Sequence, residues 1–137
     1  MKVSIVSGYF NPFHIGHLEY FYDACTMSDK LIVIVNNDKQ QFLKKNKIIV
    51  PEDERLAIIR ELKCVDEVIL SIDSDLSVRD TLQFISIKYP NDELEFCNGG
   101  DRSSGSIPEE GLTNIKFTFG VGGDTKSNSS TNINRLM

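Results

Sequence analysis

The run Leu31-Ile32-Val33-Ile34-Val35 leaves this chain few folds to adopt. Five consecutive apolar, mostly β-branched residues are too short for a helix and have no polar face, so they read as a strand buried on both sides, the mark of a central parallel strand. Parallel strands need crossover connections, and the flanking segments supply them. Apolar residues Ile15, Leu18, Phe21, Tyr22 and Cys25 recur at helical spacing before the run, and Leu56, Ile59 and Leu62 do so after it. An α/β domain with a parallel sheet follows.

Four more strands complete the pattern. Lys2 to Ser7 is rich in Val and Ile and ends at Gly8; Val68-Ile69-Leu70-Ser71-Ile72 forms the third strand, Leu94-Glu95-Phe96-Cys97 the fourth and Lys116 to Val121 the fifth. Between the third and fourth, Val78, Leu82, Ile85 and Tyr89 mark a helix that Pro90 stops. Pro51-Glu52-Asp53-Glu54 is a helix start, with acids complementing the positive end of the helix dipole and Arg55 near the same end. Hydroxyl residues ahead of Ile133 and Leu136 read as the entry of a short terminal helix. Asn36-Asn37-Asp38 and the lysine-rich stretch after it read as a loop. The expected architecture is therefore one Rossmann-like domain over residues 1–137, with a five-stranded parallel sheet and helices on both faces.

Composition narrows the function. A hydrophobic fraction of 40% and a charged fraction of 26% are those of a soluble globular protein, and the apolar runs are far shorter than the roughly 20 residues that span a bilayer. With no signal-peptide pattern at Met1-Lys2-Val3, a cytoplasmic location and no membrane partner are expected. A net charge of -5 argues against nucleic acid as a partner, which needs a basic footprint. Cys25, Cys64 and Cys97 are odd in number and scattered, and read as buried free thiols.

The chemistry concentrates after strands, where parallel sheets bind ligands. Both histidines of the chain, His14 and His17, stand three apart in Gly8-Tyr9-Phe10-Asn11-Pro12-Phe13-His14-Ile15-Gly16-His17, where the first strand passes into a helix. Without a third or fourth ligand at zinc spacing, the pair is better suited to an anion at a helix N-terminus, whose backbone N–H groups already favour negative charge. Asn98-Gly99-Gly100-Asp101-Arg102 after the fourth strand is a second site candidate, because two glycines let backbone approach a ligand. Asp101 has two readings there, a cap for its own turn and a metal contact. Lys39, Lys44, Lys45 and Lys47 form a local cationic stretch that is either a solvated loop or a lid over a polyphosphate.

Taken together, Gly8 to His17 resembles the signature of the nucleotidyltransferase superfamily marked by His-x-Gly-His, and the closest resemblance is to the compact glycerol-3-phosphate cytidylyltransferases. Tyr9-Phe10-Asn11 through His17 matches that family's opening turn, with Asn11 in place of its usual aspartate. Lys44, Arg55, the Gly100-Asp101 loop and the terminal Ser129-Ser130-Thr131 match further motifs, and Lys126 or Asp124 stands where the family has an arginine. The resemblance implies transfer of a nucleoside monophosphate, with CMP from CTP as the first expectation and adenylyl transfer from ATP to a phosphorylated cofactor precursor or sugar phosphate as the alternative; a nucleotide-binding module without turnover ranks below both. His14, His17, Lys44 and Arg55 take catalytic roles in this reading. Gly8, Tyr9, Phe10, Asn11, Gly100, Asp101, Lys126, Ser129, Ser130 and Thr131 join the histidines in nucleotide binding. Mg²⁺ carried on phosphate oxygens, a small phosphorylated acceptor and a homodimer complete what the resemblance implies, with no metal held by the protein alone. The excursion from Arg102 to Gly111 is expected to select the acceptor.

Overall fold

The computed structural model describes residues 1–99, 112 and 114–121. In chain order it contains β1 (Lys2–Gly8), α1 (Ile15–Thr26), β2 (Lys30–Val35), α2 (Asp38–Lys45), α3 (Glu52–Arg60), β3 (Glu67–Leu70), α4 (Arg79–Lys88), β4 (Glu93–Gly99) and β5 (Ile115–Val121). The five strands form one sheet in the order β3-β2-β1-β4-β5, with every pair parallel. The expected Rossmann-like architecture is thus what the described residues adopt.

Alternation along the strands divides the core in two. Val3 and Ile5 of β1, Ile32 and Ile34 of β2, and Leu94 and Phe96 of β4 face Val78, Leu82 and Ile85 of the α4 segment. Val6, Leu31, Val33, Val35 and Cys97 face Phe21 and Ala24 of α1 and Ile59 of α3 on the other side. Residues Leu31 to Val35 are all fully buried, which explains why β2 has no polar position. Period two on the strands and a stripe on each helix make these two layers mutually exclusive, so a one-residue slip would exchange them.

Several local readings need correction. The stretch expected to be a lysine-rich loop contains α2, an eight-residue helix. Its buried residues are Gln40 and Gln41, so it lacks the apolar stripe by which a helix is read. Ile15 and Tyr22 of α1 are exposed, and the helix buries Phe21 and Ala24 instead. Ile72 lies beyond the end of β3 and is exposed. All three cysteines are free; Cys64 and Cys97 are buried and Cys25 is half-buried. Burial pushes the Cys97 thiol up to about 11.

At the amino-terminal edge of the sheet, Glu67 accepts from Lys88 at 2.8 Å and from the Tyr89 hydroxyl, and lies 3.3 Å from Lys30. This charged edge is structural and leaves the opposite, carboxyl edge for the site. Strand order reverses between β1 and β4, so the crevice at their carboxyl ends is the topological switch point.

The two-layer core predicts a contrast along α4. Leu82→Ala removes a fully buried side chain and is expected to lower unfolding free energy by about 2–5 kcal/mol, whereas Ile87→Ala, at a position 73% exposed, should stay within about 0.5 kcal/mol. Urea titration of both variants checks it.

Candidate active site

The opening motif leaves β1 through a tight reversal. Phe10 adopts left-handed backbone, φ 52°, which a bulky residue rarely does. Its ring is buried and packs edge-on against His17 and Phe21, with centroids 4.9 and 5.3 Å away. This folds the ring back over Gly8, where a Cβ would stand 2.7 Å from it. Gly8 is therefore required by close approach, and the following Asn11-Pro12 peptide is cis.

The two histidines form a reciprocal cap on α1. Gly16 N–H donates to Nδ1 of His14 at 3.0 Å, and His14 N–H donates to Nδ1 of His17 at 3.1 Å. Serine and glutamate usually fill these two roles; here imidazoles do. A ring nitrogen that accepts carries no proton, so each neutral ring holds its proton on Nε2 and presents that nitrogen as a donor. The rings lie 3.8 Å apart at an angle of 32°. Two directed N–H donors thus stand together at a helix N-terminus, an arrangement suited to phosphate oxygens.

α2 brings Lys44 to the opening turn, at the Tyr9 ring. Asn37 caps the helix by accepting from Gln40 N–H at 2.8 Å, and the Gln40 side chain accepts from Asn37 N–H at 3.0 Å. The Gln40 amide also donates to the carbonyls of Asp75 and Ser77, and the Asn37 amide donates to those of Ser71 and Asp73. These bonds fasten α2 to the segment after β3. In its last turn, Lys44 places its ammonium 4.3 Å from the centre of the Tyr9 ring.

Arg55, expected among the catalytic residues, is buried in contacts with the framework. The side chain is 1% exposed, and its guanidinium donates to the carbonyls of Val50 at 2.9 Å, Tyr9 at 2.6 Å and Asn36 at 2.7 Å, and to the Asp38 carboxylate at 2.7 Å. As placed, it ties together the ends of β1 and β2. Asn11 also serves the framework, its Oδ1 accepting from the N–H groups of Ile49 at 3.0 Å and Val50 at 2.7 Å. Sequence reasoning missed Gln40 and Asp38 as supports of the site; the Asn-x-x-Gln spacing at Asn37 and Gln40 was the available signal for the helix they start.

The described residues therefore bring together Gly8, Tyr9, Phe10, Asn11, His14, His17 and Lys44, with Arg55 beneath them. Gly100, Asp101, Lys126, Ser129, Ser130 and Thr131 lie outside the described residues, as does the Arg102 to Gly111 excursion. Among the described residues no group of three or more His, Cys, Asp or Glu side chains is placed to hold a metal, and no helix is long and apolar enough to cross a membrane.

An all-parallel five-stranded sheet whose first strand passes into a histidine-capped helix places the chain among α/β domains of the nucleotidyltransferase class. The chain belongs to the cytidylyltransferase-like family, whose model matches residues 5–134. Among curated relatives, it is similar to the FAD synthase of Methanocorpusculum labreanum, 38% identical over 76 residues that make up 56% of this chain and 54% of that protein. It is likewise similar to the FAD synthase of Methanocella paludicola, 39% identical over 72 residues, 53% of this chain and 51% of that protein. The matched stretch thus spans about half the length of these relatives. A crystal structure of the lipopolysaccharide core biosynthesis protein from Thermoplasma volcanium GSS1 superposes with a TM-score of 0.64 at 27% identity, covering 87% of this chain and 95% of that one.

Burial holds the pKa of His14 below the usual 6.5. The unfolded chain accepts this proton as pH falls through about 6.5, while the folded chain resists it, so the folded state binds fewer protons there and loses stability as pH drops. His14→Asn retains a capping acceptor that does not titrate. Between about pH 7.5 and 5.5, thermal unfolding should fall further for the unaltered protein than for His14→Asn; equal shifts would remove His14 as the source.

Proposed function

We propose that this chain is a nucleotidyltransferase that moves an adenylyl group from ATP to a small phosphorylated acceptor of the flavin mononucleotide type, releasing pyrophosphate. The carrying observation is the histidine cap: two imidazoles 3.8 Å apart that accept through Nδ1 and so present Nε2 donors at the amino end of α1. The choice of nucleotide draws on the relatives. FAD synthases transfer an adenylyl group from ATP to FMN, which supports the adenylyl alternative over the CTP and alcohol phosphate expected first.

The chemistry asks little covalent work of the protein. The acceptor's phosphate monoester, with its second pKa at about 6, is largely dianionic at neutral pH and is itself the nucleophile. One of its oxygens attacks the α-phosphorus of the nucleotide, the bond to the bridging oxygen breaks, and pyrophosphate carries away the electron pair. The obstacles are repulsion between anions and their alignment. His14 and His17 donate to the transferring phosphoryl group and stabilise the charge that accumulates in the transition state. Lys44 offsets charge on the phosphates from the side of Tyr9. Magnesium belongs to the proposal as an ion brought by the nucleotide, where it neutralises phosphate charge, since Mg²⁺ in such sites commonly takes few protein ligands. In the same proposal Gly100, Asp101, Lys126 and Ser129 to Thr131 complete the nucleotide site.

A phosphorylated sugar is the second acceptor class, favoured by the likeness to a lipopolysaccharide core biosynthesis protein over nearly the whole of both chains. Pyrophosphate release from ATP or CTP with FMN, glycerol 3-phosphate and a panel of sugar phosphates separates these readings. ATP with FMN is expected to give the fastest release. Faster release from CTP with glycerol 3-phosphate would reverse the nucleotide assignment, and binding without turnover on any acceptor would leave a regulatory module.

With the active pair, His17→Ala is expected to lower kcat by roughly 10²–10³, the effect of removing one transition-state donor. Lys44→Ala should raise KM for the nucleotide; an unaltered KM would return Lys44 to a solvated helix end.

A further inference from the structure

We propose that Asn11 and Arg55 are positioning residues which hold Val50 through its N–H and its C=O and thereby set Lys44 beside the nucleotide. The inference rests on the nucleotide-binding reading of the site given above. Val50 N–H donates to Asn11 Oδ1 at 2.7 Å, and Val50 C=O accepts from Arg55 Nε at 2.9 Å. Arg55 then donates through Nη1 to Tyr9 C=O at 2.6 Å, two residues before Asn11, which closes a ring of contacts between the opening turn and the segment behind α2.

The same guanidinium reaches the other flank of α2. Its remaining bonds go to Asn36 C=O and to the carboxylate of Asp38, the first residue of the helix. Both ends of the segment carrying Lys44 are therefore referred to one buried cation. Such an anchor is needed because residues 42–49 are all exposed, so apolar burial does little to fix their place. Polar contacts to the opening turn take over that task. They leave Lys44 over the Tyr9 ring of the opening turn.

Residue types fit these roles. Arg55 serves four acceptors at separate angles, which the single ammonium of lysine cannot reproduce. Asn11 accepts two backbone N–H groups without adding negative charge where anionic substrates gather. An aspartate would accept the same two bonds and add that charge. The position thus separates geometry from electrostatics: Asn11→Ala removes the grip, and Asn11→Asp keeps it.

A double-mutant cycle between Asn11 and Lys44 tests the proposal, read by calorimetry with ATP and by amide hydrogen exchange at Ile49 and Val50. Asn11→Ala is expected to speed exchange at both amides and weaken ATP binding about three- to tenfold, the net size of one or two hydrogen bonds. In a Lys44→Ala background the same substitution should leave ATP affinity unchanged, because the residue being positioned is gone. Asn11→Asp should retain slow exchange and weaken ATP in both backgrounds through its charge. Arg55→Lys is expected to match Asn11→Ala. An equal loss of ATP affinity for Asn11→Ala in both backgrounds would overturn the proposal, as would exchange rates that do not move. If the unaltered protein binds neither ATP nor CTP while its Ile49 and Val50 amides remain protected, the nucleotide reading fails separately from the grip.

Discussion

A buried guanidinium holds the described site together. Removing Arg55 from water carries a desolvation cost of several kcal/mol, which must be offset by partners inside. The offset comes mainly from backbone: three carbonyls, at the ends of β1 and β2 and at Val50, with the partly exposed Asp38 carboxylate as the one charge among the four. The Tyr9 and Asn36 carbonyls lie where the chain leaves β1 and β2, and the Val50 carbonyl lies just ahead of α3. One cation therefore satisfies the stray acceptors of three separate segments and fixes their mutual spacing. The opening turn, the start of α2 and the approach to α3 depend on it.

Above this clamp, the histidine pair divides its work between the two nitrogens of each ring. Nδ1 belongs to the fold and caps α1, and Nε2 is the nitrogen the proposed chemistry uses. The division explains why histidine suits positions where serine and glutamate would cap equally well, since neither offers a second donor on the far side of the capping atom. It also explains the spacing of three, which places the second ring within reach of the first residue's N–H. The motif is thus a helix start and, in the proposed function, a phosphate-binding surface at once.

Much of this was readable in the sequence, and the reasons are specific. β2 declared itself through five apolar residues in succession, and α4 through Val78, Leu82, Ile85 and Tyr89, because burial against a sheet imposes those periods. The histidine pair was readable from residue type and spacing alone. α2 was not, since glutamines bury it through hydrogen bonds and leave no apolar stripe. The structural task of Arg55 was hidden for a related reason: the family resemblance gave it a catalytic role, and the carbonyls that converge on it come from segments distant in sequence. The Asn11 amide was noticed as a departure from the family's aspartate, but its partners lie thirty-eight and thirty-nine residues away. Polar long-range contacts carry no period.

The left-handed turn at Phe10 has a consequence of its own. Its ring is locked among Phe13, His17 and Phe21, so the direction in which the chain leaves β1 is decided by core packing before any ligand arrives. The histidine pair is preorganised by this packing, so in the proposed function little conformational freedom would be lost there on association. A pair of that kind favours rate over choice. Under the proposed function, acceptor choice can then vary elsewhere in the chain without disturbing the turn that Phe10 holds in place.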